Sequence, residues 1–203
     1  MRYDIVLAGV GGQGVLSMAA IIGRAALAEG LFVKQSEVHG MAQRGGAVQA
    51  HLRLSETPIE SDLIALGTAH LILSLEPVES LRYLAWLAPT GTLVTASTPF
   101  LNIKDYPPIE AVLAKVRSLP HAVIVDAERI ADQAGDLQTV NTAMVGAASR
   151  LLPLRLDTIE AAVRETFQRK GESIVKANLA ALREGASAAL MADRPLAGHE
   201  ARS

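Results

Sequence analysis

The chain has 203 residues, a formal net charge of −2, and a composition that is 50% hydrophobic and 20% charged. This length suits one well-packed domain, and the charge gives no electrostatic basis for binding nucleic acid or an anionic membrane. The absence of Cys excludes iron–sulfur clusters, zinc–thiolate sites and disulfides within the chain itself. We expect a cytoplasmic protein, because the sequence contains neither a signal-peptide pattern nor an apolar run that could span a bilayer.

Strands and helices alternate along the first part of the chain. Short apolar runs predict buried strands, and residues 15–29 have apolar positions at helical spacing, with Gly30 as the expected C-cap. The predicted elements are a strand at 4–8, a helix at 15–29, strands at 31–34, 47–54 and 71–75, a helix at 77–87, and strands at 92–95 and 122–126.

The remainder of the chain is predicted to be helical. Residues 98–120 contain four prolines and resemble a surface excursion, with a helix near 109–116. Three apolar stripes follow, at 140–152, 156–167 and 173–191. We therefore predict an α/β fold, with a Rossmann-like, mainly parallel sheet, flanking helices and a helical C-terminal part. The predicted domain covers 1–192, and 193–203 is expected to be a flexible tail.

A glycine-rich turn follows the first predicted strand directly. Gly9-Val10-Gly11-Gly12-Gln13-Gly14 matches the G-x-G-x-x-G pattern between a strand and a helix, which is the context that anion binding at a helix N-terminus requires. An NAD or FAD site would also need an acidic residue at the end of the second strand, where Lys34 and Gln35 stand, with Glu37 already in the following loop. A tight turn that only needs small residues is the alternative.

Residues 35–46 are predicted to form a glycine-rich loop, which contains the segment Ser36-Glu37-Val38-His39-Gly40-Met41-Ala42-Gln43-Arg44-Gly45-Gly46. It follows a strand and should leave the sheet at its carboxyl edge, where ligands bind in open α/β sheets. Arg44, next to Gly45 and Gly46, can present a guanidinium and backbone N–H groups to an anion. The alternative is a solvated connecting loop.

Neither a catalytic set nor a metal site is predicted. The sequence has no nucleophile elbow, P-loop, paired-carboxylate arrangement or magnesium–diphosphate signature, and its five His lack metal-ligand spacing. The predicted cofactor-binding residues are Gly11, Gly12, Gln13, Gly14, Arg44, Gly45 and Gly46.

Both glycine-rich segments resemble those of a known enzyme family. Residues 5–15 resemble the opening of the gamma-type subunit of 2-oxoacid:ferredoxin oxidoreductases, and residues 36–46 are similar to the beta subunit of the indolepyruvate enzymes. Weaker similarities are the segment Asn141-Thr142-Ala143-Met144-Val145-Gly146 and, later, Asn178 with Gly185. The resemblance extends to about residue 190.

The resemblance implies a subunit that is inactive alone. In this family a 2-oxoacid is decarboxylated on thiamine diphosphate, the acyl group passes to coenzyme A, and electrons pass through iron–sulfur clusters to ferredoxin. Thiamine diphosphate and the clusters are expected in a large alpha subunit, and coenzyme A is expected to contact the gamma-type domain. The alternatives are an independent nucleotide-binding α/β protein and the gamma subunit of a pyruvate- or 2-oxoglutarate-type enzyme.

Overall fold

A six-stranded sheet organises the protein. The computed structural model describes residues 1–39, 45–101 and 105–192. The strand order is β2-β3-β1-β4-β5-β6, with β3 antiparallel to both of its neighbours and the other pairs parallel. This mainly parallel sheet confirms the predicted α/β class. The strands are β1 (Arg2–Val10), β2 (Phe32–His39), β3 (Ala47–Ser55), β4 (Ala69–Ser74), β5 (Leu87–Ala96) and β6 (Ala122–Val125).

Helices cover both faces of this sheet. The helices are α1 (Val15–Ala28), α2 (Pro77–Arg82), α3 (Ile109–Arg117), α4 (Ala127–Gln133), α5 (Val140–Ala148), α6 (Leu156–Phe167) and α7 (Glu172–Ala192). In β1, Ile5 and Leu7 face the larger core beneath α1 and α4–α7, while Val6 and Ala8 face a smaller core beneath α2 and α3. A strand buried on both faces has a continuous apolar sequence, as the sequence of β1 shows.

The second strand is longer than predicted. Instead of ending near Lys34, β2 continues to His39, so the predicted loop at 35–46 is wrong for its first five residues. Pairing with β3, which joins Val38 to Gln49 and His39 to Val48, supplies the hydrogen bonds that extend this strand. Glu37 therefore lies in β2 rather than in a loop.

The helix after β4 is shorter than predicted. Pro77 occupies its first turn as expected, but α2 ends at Arg82 and a 3-10 turn follows at Leu84–Trp86. Leu87, the predicted last helical residue, instead begins β5 opposite Ala69. Helix α4 was not predicted, although Asp126 caps it by accepting a hydrogen bond from the Arg129 N–H at 3.2 Å.

Two helix glycines determine how the C-terminal helices cross. A Cβ placed on Gly146 of α5 would lie 2.0 Å from the carbonyl oxygen of Leu182 in α7. A Cβ on Gly185 of α7 would lie 2.0 Å from the carbonyl oxygen of Ala143. The two backbones are in direct contact because neither glycine has a side chain.

The predicted tail at 193–203 lies outside the described residues. In the ranges that the structure does describe, every helix is too short or too polar to cross a membrane.

Candidate functional site

The two glycine-rich segments meet at the carboxyl end of β1. The N–H of Gly11 donates to the Gly46 carbonyl at 2.8 Å, and the N–H of Gly45 donates to the Gly11 carbonyl at 3.2 Å. This contact follows from the antiparallel pairing of β1 with β3, which places Val10 opposite Ala47. The predicted proximity of the segments is thus confirmed for Gly45 and Gly46, whereas Arg44 lies outside the described residues.

At this edge of the sheet, the connections that follow β1 and β4 leave toward opposite faces. After β1 the chain crosses one face of the sheet through α1, and after β4 it crosses the other face through α2. Strands β1 and β4 are adjacent and parallel. A crevice between the carboxyl ends of two such strands is the usual ligand site of open α/β sheets.

Gln13 bridges the two strands at this crevice. Its side-chain oxygen accepts from the Val10 N–H at 2.8 Å, and its amide nitrogen donates to the Leu75 carbonyl at 3.2 Å. Gly9 allows this approach, since a Cβ there would lie 3.1 Å from the Gln13 Oε1 and 2.9 Å from a Val15 methyl. The Gln13 side chain therefore holds the turn in place, and its polar atoms face the protein backbone.

The turn itself needs glycine at two positions. Gly12 has φ 104° and Gly14 has φ 93°, a backbone region that other residues rarely adopt. Gly14 is the N-cap of α1, and no side chain caps this helix. The turn therefore leaves a helix N-terminus and its partial positive charge beside the crevice.

The beginning of α5 lies directly against this turn. A Cβ on Gly14 would lie 2.5 Å from the side-chain nitrogen of Asn141. The Asn141 oxygen accepts from the Thr142 N–H at 2.7 Å, and the Thr142 hydroxyl donates to the Asn178 oxygen at 2.6 Å. Asn178 in turn donates to the Ile174 carbonyl at 2.8 Å. This buried network joins α5 to α7 and orients Asn141 toward α1.

Glu76 forms a second buried polar group at the same edge, just after β4. Its carboxylate accepts from the Glu79 N–H at 2.8 Å, from the Phe100 N–H at 3.4 Å and from the Tyr106 hydroxyl. Burial, together with this hydrogen bond to Glu76, raises the pKa of the Tyr106 phenol. Burial also raises the pKa of Glu79, an effect that Arg82 opposes. Through these contacts Phe100 and Tyr106, in the connection after β5, are held against Glu76 at the carboxyl end of β4.

The site predicted from sequence is thus partly assembled. Gly11, Gly12, Gln13 and Gly14 adjoin Gly45 and Gly46, while Asn141 joins them unpredicted. The only sequence signal for Asn141 was the weak family similarity of residues 141–146. Within the described ranges, no three His, Asp or Glu side chains form a group that could hold a metal ion.

The chain is similar to known proteins over nearly its whole length. A family model described as pyruvate ferredoxin/flavodoxin oxidoreductase matches residues 4–188. The chain is 38% identical over 200 residues to the indolepyruvate oxidoreductase subunit IorB of Archaeoglobus fulgidus, covering 94% of this chain and 96% of the relative. It is 30% identical over 179 residues to the pyruvate/ketoisovalerate oxidoreductases common subunit gamma of Pyrococcus abyssi, covering 86% of this chain and 92% of the relative.

A solved structure shows the same fold within a larger chain. The 2-oxoglutarate:ferredoxin oxidoreductase from Magnetococcus marinus, with 2-oxoglutarate, coenzyme A and succinyl-CoA bound, matches with a TM-score of 0.75 at 21% identity. The match covers 94% of this chain but only 31% of that one. At this identity the likeness concerns the fold alone.

Proposed function

Because the chain belongs to the pyruvate ferredoxin/flavodoxin oxidoreductase family, we propose that it is the small subunit of an indolepyruvate-type 2-oxoacid:ferredoxin oxidoreductase. The observation that supports this assignment most strongly is the near full-length similarity to subunit IorB at 38% identity. The gamma subunit of the pyruvate/ketoisovalerate enzymes is more distant, at 30% identity. The proposed reaction converts an arylpyruvate and coenzyme A to an acyl-CoA and carbon dioxide, and transfers two electrons to ferredoxin.

In this proposal the redox centres belong to a larger partner subunit. The chain has no Cys, so it supplies no thiolate to an iron–sulfur cluster. Thiamine diphosphate, which stabilises the carbanion formed on decarboxylation, is likewise assigned to the partner. This chain contributes a surface at the carboxyl edge of its sheet that carries backbone N–H donors.

That edge is the proposed contact for coenzyme A. Gly11, Gly12 and Gly14 keep the backbone before α1 free of side chains, and Gln13 holds it against β4. Arg44, the residue before Gly45 in the sequence, supplies a guanidinium, which pairs well with phosphate oxygens. Coenzyme A is a bound ligand of the Magnetococcus marinus enzyme, which supports the choice of ligand.

Reconstitution tests the proposal. The purified small chain should not oxidise any 2-oxoacid with ferredoxin or a dye. Mixing it with its larger, Cys-rich partner should produce arylpyruvate oxidation that depends on coenzyme A. Affinity capture of the native protein followed by mass spectrometry should recover that partner. Turnover by the small chain alone, or capture without any Cys-rich chain, would exclude the assignment and favour an independent nucleotide-binding protein.

A further inference from the structure

Strand β2 forms one edge of the sheet and carries little of what usually protects a sheet edge. Among the described strands its only neighbour is β3, with which it pairs without a break from Phe32 to His39. It contains no proline, and its one lysine, Lys34, donates to the Glu60 carbonyl of its own chain at 3.1 Å. Proteins usually interrupt such an edge with a bulge, a proline or an outward lysine, because its backbone groups can pair with another strand.

Hydrogen bonds between β1 and β3 identify the backbone groups on the outer edge of β2. The Glu56 N–H donates to the Met1 carbonyl at 3.1 Å, and the bond from the Gly11 N–H at the other end of this ladder has the same phase. Odd-numbered residues of β1 therefore bond to even-numbered residues of β3. Because bonded and non-bonded pairs alternate in an antiparallel ladder, the odd-numbered residues of β3 bond to even-numbered residues of β2. The backbone groups of Val33 and Gln35 consequently point away from β3.

This outer edge is complementary to a second copy of itself. Two β2 strands related by a two-fold axis perpendicular to the sheet run antiparallel. In the register centred on Gln35, the Gln35 N–H of each copy can donate to the Gln35 carbonyl of the other. The same register sets Phe32 opposite Val38 of the second copy at both ends of the pair. These side chains lie on the same face of the sheet and are 46% and 60% exposed, so the pairing covers both of them.

Val38 lies at an apolar cavity that the second copy can cover. The cavity has a volume of about 520 Å³, and its walls include Leu63, Leu66 and Trp86. Leu63 and Leu66 are themselves more than half exposed. Side chains directly opposite each other in an antiparallel pair have Cβ atoms about 4.5–5.5 Å apart, so Phe32 of the second copy reaches the mouth of this cavity. A continuous exposed apolar surface of this kind marks an interaction site.

The charges on β2 favour the same register. Lys34 is one residue out of register with Glu37 of the second copy, so opposite charges approach each other. The two Glu37 side chains are four residues, about 14 Å, apart along the strands. The bond to Glu60 directs each lysine toward its own chain, which keeps the two ammonium groups from meeting.

We propose that two copies of this chain pair through β2, with the two-fold axis at Gln35, and join their six-stranded sheets into one continuous sheet. This pairing requires neither coenzyme A nor a larger partner subunit. Because the two β2 strands are antiparallel, the carboxyl edges of the two sheets lie at opposite ends of the joined sheet. Each copy therefore keeps its own glycine turn.

A single-cysteine variant tests the register, because the chain has no Cys of its own. The Cα atoms of a hydrogen-bonded antiparallel pair are about 5.5 Å apart, a distance that a disulfide spans. Gln35→Cys should therefore form a covalent dimer readily under mild oxidation. Leu156→Cys, at another exposed position, in α6, is the control for random collision. Cross-linking of Gln35→Cys that is no faster than that of Leu156→Cys would overturn the proposal.

Sedimentation equilibrium of the full chain measures the association without a cross-link, and it should show a reversible dimer. Gln35→Pro removes the two central N–H donors but none that bonds to β3, a change that an edge strand tolerates. It should weaken association about 5- to 150-fold, the range for two neutral hydrogen bonds. Gln35→Thr keeps the N–H group and should associate like the parent. A parent chain that stays monomeric, or a folded Gln35→Pro variant that associates equally well, would refute the pairing. Protection of the Gln35 N–H from hydrogen exchange only when a larger partner chain is added would assign this edge to that partner instead.

Discussion

Gly185 in α7 lies directly on the main chain of Ala143 in α5, so close that a Cβ would come within 2.0 Å of the Ala143 carbonyl oxygen. The reciprocal contact of Gly146 with Leu182 makes this crossing a backbone-to-backbone interface. Because Asn141, the second residue of α5, lies against Gly14 of the glycine turn, the crossing also determines where that side chain is held. These two close contacts explain why glycine is needed at positions 146 and 185, where the sequence resembles the family.

Filling this interface should destabilise the protein. We expect Gly185→Ala to lower the free energy of unfolding by about 3 kcal/mol, the upper part of the range for overpacking, because rigid backbone must move. Gly23→Ala in α1 is the control: its Cβ would meet a Val33 methyl at an ordinary 3.6 Å, so the better helix propensity should raise stability by about 0.5–1 kcal/mol. Denaturant unfolding measures both, and a Gly185→Ala variant as stable as the parent would contradict the contact.

The buried ion pair between β1 and β3 is expected to matter more than the exposed pairs. Arg53 donates to both oxygens of Asp4, at 2.8 and 3.2 Å, and each residue is at most 3% exposed. Arg53→Met would leave the buried Asp4 carboxylate paired only with the exposed Arg2, at 3.0 Å, and should cost about 3 kcal/mol, the lower end of the range for breaking a buried pair. Arg24→Met breaks the solvated pair with Glu165 and should cost about 1 kcal/mol or less. Similar unfolding midpoints for the two variants would be inconsistent with this ranking.

His51 should make stability depend on pH. Burial lowers the pKa of His51, an effect that Asp4 partly opposes, and its Nδ1 accepts from the Ile64 N–H at 3.0 Å. The unfolded chain therefore takes up the proton first, near pH 6.5, so stability is lost as pH falls below about 6.5 toward the lower folded pKa. The slope should approach at most about 1.4 kcal/mol per pH unit.

The variant His51→Asn isolates this effect. Asn offers an acceptor oxygen to the Ile64 N–H but does not titrate, so the variant should lack this part of the slope. Unfolding free energies measured between pH 5 and pH 7.5 for both proteins give the difference curve. A difference curve that is flat with pH would show that His51 protonates equally in both states.

Nicotinamide cofactors should not bind at micromolar concentrations. In this fold β3 lies between β1 and β2, so Glu37 on β2 is two strand spacings, about 10 Å, from the strand that leads into the glycine turn. A dinucleotide site instead needs its acidic residue on the neighbouring strand, where it can reach the ribose. Isothermal calorimetry with NAD should show no saturable heat, and a tight isotherm would restore the dinucleotide alternative.

Arg44 is predicted to act on coenzyme A in the assembled enzyme. A charge-assisted hydrogen bond to phosphate is worth about 1.5–3 kcal/mol, or about a 10- to 150-fold change in binding. Arg44→Ala should raise the KM for coenzyme A within that range and affect decarboxylation much less. Arg117→Ala, at an exposed position in α3, should leave this KM unchanged. Weaker subunit association in sedimentation, with an unchanged KM, would instead indicate that Arg44 contacts the partner subunit.

Local patterns in the sequence determined the parts of the fold that depend on neighbouring residues. The turn at Gly9–Gly14, helix α1 and the C-terminal helices follow from positive-φ glycines and helical periodicity, which need no distant partner. The predicted C-cap is displaced by one residue: Glu29 caps α1, and Gly30 follows it with φ 79°, the left-handed conformation that often ends a helix just beyond its cap. The family resemblance rests on the same short segments.

Tertiary structure decided the features that depend on residues far apart in sequence. β2 extends to His39 because β3 pairs with it, and α2 stops at Arg82 because Leu87 pairs with Ala69. Asn141 lies at the site because the crossing of α5 and α7 places it against Gly14. Gly14 precedes it by more than a hundred residues in the sequence. No local period encodes such a contact, because its stabilisation comes from packing and hydrogen bonds that exist only once the sheet and its helices have assembled.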